Sequence, residues 1–331
     1  MLEPAQNVLT NPVALGGAAV AGLVLLLLVG LPAELLNQSI SENYERITRR
    51  LPRVRAPWWQ RFGAWIQSRH LIGGLALTVL AALIFGFADP GFGWDVASAR
   101  LVLALALALF VVGYLASLIS GAIIRRRWGL ESVMELKPLG ILLAVVGVLL
   151  SRIIEFSPGF LIGLVLGITV LSTTSAAQRA KVTLVQAGVV FGLSMLGWAA
   201  YSILSATTSP DSFATALAFE TTAAITAEGL TALVVGMLPF KLLDGSEVAA
   251  YSRWLWAAVY AFIAGAWILV VLPSAWTEQT GSIWTTVAVL GAFTIVALGI
   301  YFFFRLTGKD EDEEDDPTTP QDESELEDVV L

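Results

Sequence analysis

The chain of 331 residues has no cysteine and a single histidine, His70. The first absence excludes disulfides, thiolate metal sites and cysteine nucleophiles, and the second excludes a histidine-rich metal centre within one chain. Charge is scarce too: 14% of residues are Asp, Glu, Lys or Arg, against 56% hydrophobic. That balance lies outside the range of soluble domains. No phosphate-binding GxxxxGK[ST] loop, GxSxG nucleophile elbow or GxGxxG dinucleotide fingerprint is present, and no loop is long enough to hold a soluble catalytic domain. Nucleotide-driven transport, nucleotide redox chemistry and nucleic-acid binding are therefore not expected, and no cofactor or metal is implied.

What the sequence does have is a staircase of apolar segments. A bilayer core about 30 Å thick takes about 20 residues of helix. Spans are predicted near residues 11–31, 71–88, 100–123, 138–151, 159–175, 183–205, 213–238, 254–273 and 283–305. All Lys and Arg residues except Arg100 and Arg152 fall in alternate gaps of this series. Cation-rich short loops stay cytoplasmic, so the expected fold is an all-α, polytopic bundle of about nine spans, amino terminus outside and carboxyl terminus cytoplasmic, in a bacterial inner membrane. The fourth span is short, and residues 138–175 read equally as two crossings or as a re-entrant hairpin bent at Pro158-Gly159. Four regions follow: 1–36 with the first span, a basic amphipathic loop at 37–70, the remaining bundle at 71–308, and an acidic tail at 309–331. Twelve of the 27 acidic side chains lie in that tail, which is too polar to form a core and is expected to be disordered.

Packing and anchoring signals are those of a bundle. Gly159, Gly163 and Gly167, then Gly188 and Gly192, repeat at four-residue spacing and predict close approach of spans five and six. Trp58, Trp59, Trp94, Trp128, Trp254, Trp256, Trp276 and Trp284 fall at span edges as interfacial anchors, while Trp198 and Trp267 lie deeper.

Within the first loop, Ser39 and Glu42 predict a capping box opening a helix over 39–51. The stretch from Trp58 to His70 then sets aromatic residues opposite Arg, an arrangement suited to the headgroup plane. Arg46, Arg49, Arg50, Arg61, Trp58 and Trp59 form a candidate site for anionic lipid headgroups, with ordinary topogenic charge as the plainer reading.

LPAELLNQSISENYER at 31–46 is echoed by LPFKLLDGSEVAAYSR at 238–253, with Leu, Pro, Leu, Leu, Asn/Asp, Ser, Tyr and Arg aligned. Pro is expected to end each membrane helix and Asn37 or Asp244 with the following Ser to open the next one. A parallel pseudo-repeat and convergence on one exit geometry both explain the echo. Leu238, Pro239, Asp244 and Ser246 are candidate motif residues. Here VGMLPFKLLDG, with LPAELLN and PGFLIGLVLG, resembles a group of bacterial membrane proteins known by an FGLLP motif. Gly236, Leu238 and Pro239 match that motif outright, and the resemblance implies a polytopic protein without an assigned activity. LPFKLLDG also resembles one half of the site-2 protease pattern, in which Asp244 would correspond to a zinc ligand. The other half, HExxH, is missing, because His70 is followed by Leu71. A working metalloprotease is excluded on that ground.

Span seven contains Glu220 and Glu228, the latter close to mid-membrane. A lone carboxylate there costs several kcal/mol on the order of insertion scales, so it should face protein or water and be protonated or hydrogen-bonded. Hydroxyls of Tyr114, Ser117, Ser194, Tyr201 and Ser202 are the expected partners, and no intramembrane cation is expected. At 100° per residue the two carboxyls are turned about 80° apart. Arg152 and Glu155 are expected to pair locally. Two functions remain open: a non-catalytic scaffold or accessory protein with an unidentified membrane-protein partner, or an ion-coupled secondary carrier using Glu220 and Glu228.

Overall fold

A computed structural model describes residues 2–42, 70–87, 89, 91–130, 132–136, 166–170, 175–240 and 243–271. The candidate lipid-facing residues (Arg46, Arg49, Arg50, Trp58, Trp59, Arg61), Arg152, Glu155, Gly159, Gly163, the ninth predicted span and the acidic tail lie outside these residues.

The elements in chain order are α1 (Ala5–Leu9), α2 (Pro12–Glu42), α3 (His70–Gly86), α4 (Val96–Leu109), a π-helical turn (Phe110–Leu115), α5 (Ala116–Trp128), β1 (Ser132–Leu136), β2 (Leu166–Val170), α6 (Ala176–Thr207), α7 (Phe213–Gly236), α8 (Gly245–Tyr251) and α9 (Arg253–Val270). Val96–Trp128 is one continuous helical rod, and with α6, α7 and α9 it makes four helices long and apolar enough to cross a membrane. The fold is therefore that of a helical membrane protein.

Helix starts are set by local chemistry. Ser175 with Gln178 and Ser212 with Thr215 form reciprocal capping boxes at α6 and α7, which satisfy first-turn N–H groups that have no partner within the helix. Asp95 caps α4 by accepting from the Ser98 N–H at 2.7 Å, and Ser252 caps α9. These hydrogen bonds hold the Asp95 carboxyl below the usual carboxylate range. α5 ends at Gly129, whose φ of 64° places it in the left-handed region that glycine enters without strain.

Directions alternate. α4 and α7 run parallel, since Arg100 meets Glu220 near their starts and Val112 lies against Gly229 further along. α6 runs antiparallel to α7, with Ser194 against Gly229 and Gly197 against Ile225 and Thr226. α9 is also antiparallel to α7, with Trp256 bonded near the end of α7 and Trp267 bonded to Thr231 one and a half turns earlier. These directions sort the described charges. Every described Lys and Arg except Arg100 (Arg125, Arg126, Arg127, Arg179, Lys181, Arg253) falls at one end of the bundle. Glu3, Asp89, Asp95 and Asp211 fall at the other.

Close helix contacts use small residues, but not those that sequence spacing singles out. A Cβ on Gly22 of α2 would lie 2.9 Å from the Gly265 nitrogen of α9. A Cβ on Gly197 would lie 2.8 Å from Ile225, and one on Gly229 would overlap the Ser194 hydroxyl. Gly188 and Gly192 have open space within 4 Å among the described residues, so their four-residue repeat does not mark a seam there. Gly167 is not helical: it sits in β2, paired antiparallel with Glu135 of β1. The expected helix at 159–175 is thus interrupted by a strand at 166–170, and the ribbon brings the two ends of segment 137–165 side by side.

The expected exit turn at Pro32 is replaced by continuous helix, for α2 runs from Pro12 through Pro32 to Glu42. Ser39 and Glu42 therefore lie within one continuous helix and do not open a new one. A helix passes through proline by giving up one backbone hydrogen bond. At Pro239 the outcome is the opposite. α7 stops at Gly236, and a turn leads into α8. The two echoed segments do not share one backbone. Trp256, expected at the interface, is 9% exposed inside the main core with Met237, Val248, Tyr260 and Ile263. Trp94 and Trp254 are fully exposed as anchors should be, and Trp198 is buried.

Candidate functional site

α7 is the helix on which the polar candidates meet. Its first turns carry Glu220, and this carboxylate is not alone. Arg100 of α4 grips it with two prongs: Nε donates to Oε1 at 2.9 Å and to Oε2 at 3.0 Å, and the terminal nitrogen reaches Oε1 at 2.7 Å. The two side chains are 24% and 30% exposed. The expectation that no intramembrane cation is available is therefore overturned. Arg100 enters from a helix 120 positions earlier in the chain, and its planar fork matches a carboxylate face. No spacing in the sequence announces the pair: Arg100 opens the span predicted at 100–123, whereas Glu220 lies seven residues into span seven.

Glu228 is different. It is 5% exposed, and among the described residues no hydrogen bond or ion pair reaches its carboxyl. Two of the five expected hydroxyl partners are used elsewhere, and none of the five, Ser117 included, bonds to Glu228 among the described residues. Ser194 Oγ donates to its own helix at Val190 O at 2.9 Å, and Ser202 Oγ donates to Trp198 O at 2.7 Å. Tyr201 packs edge-on against Phe219, and Tyr114 stacks on Phe110. Such back-bonding to the preceding turn satisfies Ser and Thr within a helix and leaves nothing to donate across it. Thr226 does the same with Thr222 O.

The rotation of α7 shows where Glu228 faces. From Glu220, residues 224 and 228 advance about 40° each at 100° per residue. Glu220 meets Arg100 of α4, and Ala224 packs on the α3–α4 cluster of Ala82, Phe85 and Leu105. Glu228 follows on the same flank, toward α4 and the π turn. The next residue, Gly229, touches Ser194 of α6 and lies 3.4 Å, by its virtual Cβ, from Val112 in that turn. Thr221, about 20° from Glu228 on the helix circumference, has a buried hydroxyl with no hydrogen-bond partner. The opposing wall of α4 is narrow: Ala104 and Ala108 are fully buried, and Val112 nearly so. π turns interrupt a regular helix at a cost and recur at functional positions.

The motif residues form a second, separate unit. Leu238 and Pro239 make the turn after α7, Asp244 precedes α8 without capping it by its side chain, and Ser246 Oγ donates to Leu243 O at 2.8 Å. Gly245, which sequence reasoning passed over, is the crux of this corner. Any Cβ there would collide with the Met237 carbonyl and approach Leu238 O at 2.6 Å. The Met237 carbonyl is also the acceptor for Trp256 Nε1 at 2.8 Å, and Glu247 of α8 accepts from Thr183 of α6 at 2.7 Å. The corner is thus fastened to both α6 and α9. Among the described residues no group of three or more His, Cys, Asp or Glu could hold a metal ion.

Comparison of the chain with protein-family models, with characterised proteins and with solved structures returns no match, so no relative assigns a role to these residues.

Proposed function

We propose that this protein is an ion-coupled secondary carrier of a bacterial cytoplasmic membrane in which Glu228 takes up and releases a proton. The observation that carries this reading is the buried, unpartnered Glu228 carboxyl. A carboxylate deep in a bundle costs about 2.5–3.5 kcal/mol on insertion scales unless something compensates its charge. Among the described residues neither a cation nor a donor does so. Among the described residues, the charged groups on the helices packed against α7 are Arg100, engaged by Glu220, and the terminal Arg125, Arg126, Arg127, Arg179, Lys181 and Arg253; Tyr114, Tyr201 and Tyr260 are the other titratable groups. A proton or a small cation from outside the protein is then the natural partner of Glu228. Glu220, neutralised by Arg100, is not a second binding carboxylate in this reading.

The surrounding topology is part of the proposal: about nine spans, the amino terminus outside, and the cation-bearing end with the acidic tail in the cytoplasm. Kinship with the FGLLP-motif group belongs to it as well, resting on Gly236, Leu238 and Pro239. So do contacts of Arg46, Arg49, Arg50, Arg61, Trp58 and Trp59 with anionic lipids.

A scaffold or accessory role for an unidentified membrane partner is the second reading. The rigid corner around Gly245, Met237 and Trp256 favours it, since a motif held by packing presents one fixed surface.

Infrared difference spectroscopy across a pH titration, together with proton movement into proteoliposomes holding a trapped pH dye, separates the two. For the carrier, Glu228→Gln removes one protonated-carboxyl band and abolishes proton movement, while Glu228→Asp retains both. Identical spectra and flux in wild type and Glu228→Gln would leave the scaffold.

A further inference from the structure

The Arg100–Glu220 pair and Glu228 share one flank of α7, and what lies between them has the form of a route. Two residues eight apart on a helix are separated by about 12 Å along its axis. Over that distance α7 presents Ala224 and Thr221, and α4 presents Ala104 and Ala108. Three of these four are alanines, and the fourth carries a buried hydroxyl without a partner. The pair stands at the end of the bundle where Asp89, Asp95 and Asp211 lie, and it is partly exposed, whereas Glu228 is buried. Large side chains close the other flanks. Leu230 with Trp198 and Val270 fills one, and Ile225 against Gly197 fills another.

We propose that the α4–α7 seam is the path by which water and small cations reach Glu228, and that the Arg100–Glu220 ion pair is its gate. The gate rests on the reading of Glu228 as the binding carboxyl, and it adds a direction, for access comes from the end of the bundle opposite Arg125–Arg127. With the pair formed, the two charges cancel and the joined side chains occupy the mouth. Opening the pair frees the Glu220 carboxylate, which attracts them. The two-pronged geometry suits such a switch, because both prongs are lost together when α4 and α7 separate.

The absence of native cysteine makes the test direct. Ala108→Cys is introduced into the full-length protein in proteoliposomes, with Glu228 left intact. Its reaction with a small, positively charged, membrane-impermeant thiol reagent is timed from each side. With the pair intact, labelling from the Arg100 side is slow. In the Arg100→Gln background, which leaves Glu220 as an unpaired carboxylate, it rises at least tenfold, and the charge-swapped Arg100→Glu/Glu220→Arg double variant returns it toward the slow rate. Ala104→Cys, one turn nearer the mouth, gives the same ordering with faster rates and serves if Ala108→Cys does not fold. Equal rates in all backgrounds, no labelling in any of them, or labelling confined to the opposite side would overturn the gate. Because Glu228 is unaltered, that result would leave its carboxyl band and proton movement to be judged separately.

Discussion

Gly245 lies with its Cα against the Met237 carbonyl, eight positions back in the chain, at a separation that leaves no room for a side chain. The contact closes the corner between α7 and α8 and lets the same carbonyl accept the Trp256 indole N–H. The backbone of Gly245 is otherwise ordinary helix, so the requirement is steric rather than conformational.

Gly245→Ala should therefore destabilise the protein by about 2–3 kcal/mol, the range for forcing an extra methyl into a packed site. Trp256→Phe, which loses the hydrogen bond together with the five-membered half of the indole, should cost about 2–3 kcal/mol through an unpaired buried carbonyl and a small cavity. Thermal unfolding in detergent, followed by tryptophan-independent circular dichroism, measures both. Combined, the two substitutions should cost less than their sum, because they act on one carbonyl.

Glycines on α6 and α7 should divide sharply by position. Gly229→Ala pushes a methyl into Ser194, whose hydroxyl is held by Val190 O. The loss should be on the order of 1–3 kcal/mol, and Ser194→Ala in the same chain should recover much of it. Gly188→Ala and Gly192→Ala meet open space among the described residues. They should be neutral or stabilising by up to about 1 kcal/mol through helix propensity. A double-mutant cycle on unfolding midpoints reads the coupling directly; additive Gly229 and Ser194 effects would contradict the contact.

Acid should weaken the start of α4 through Asp95. The backbone N–H and hydroxyl of Ser98 hold this carboxyl below its usual range, so the folded state binds its proton less readily than the unfolded chain. Stability from the cap is then fully present above the unfolded value, near about pH 4, and is lost as pH falls through the depressed value. Asp95→Asn, which keeps an accepting oxygen, should flatten that part of the stability–pH curve. An unchanged slope in the variant would remove Asp95 as its source.

Much of this was legible before any coordinates. Apolar runs at 100–123, 183–205, 213–238 and 254–273 correspond to helices spanning Val96–Trp128, Ala176–Thr207, Phe213–Gly236 and Arg253–Val270. Hydropathy is a local sum, and one helix satisfies its own backbone in lipid. Capping was not read correctly: the box expected at Ser39 and Glu42 opens no helix, and those at Ser175 and Ser212 went unpredicted. Proline was less informative than its reputation: Pro32 sits within α2, while Pro239 follows the end of α7. What differs is the tertiary surrounding, for at the second site Gly245 and Trp256 hold the broken ends together.

From the order of residues alone came the apolar segments, the clustering of cations in alternate gaps, and the presence of two carboxyls in one span, all properties that each stretch of chain carries by itself. The fold decided that Arg100 would answer Glu220, that Glu228 would have no partner among the described residues, that Trp256 would sit in the core and that residues 166–170 would pair as a strand with 132–136. These depend on how far each helix is rotated and which neighbour it meets. Composition and periodicity do not encode a rotation of tens of degrees between helices more than a hundred residues apart.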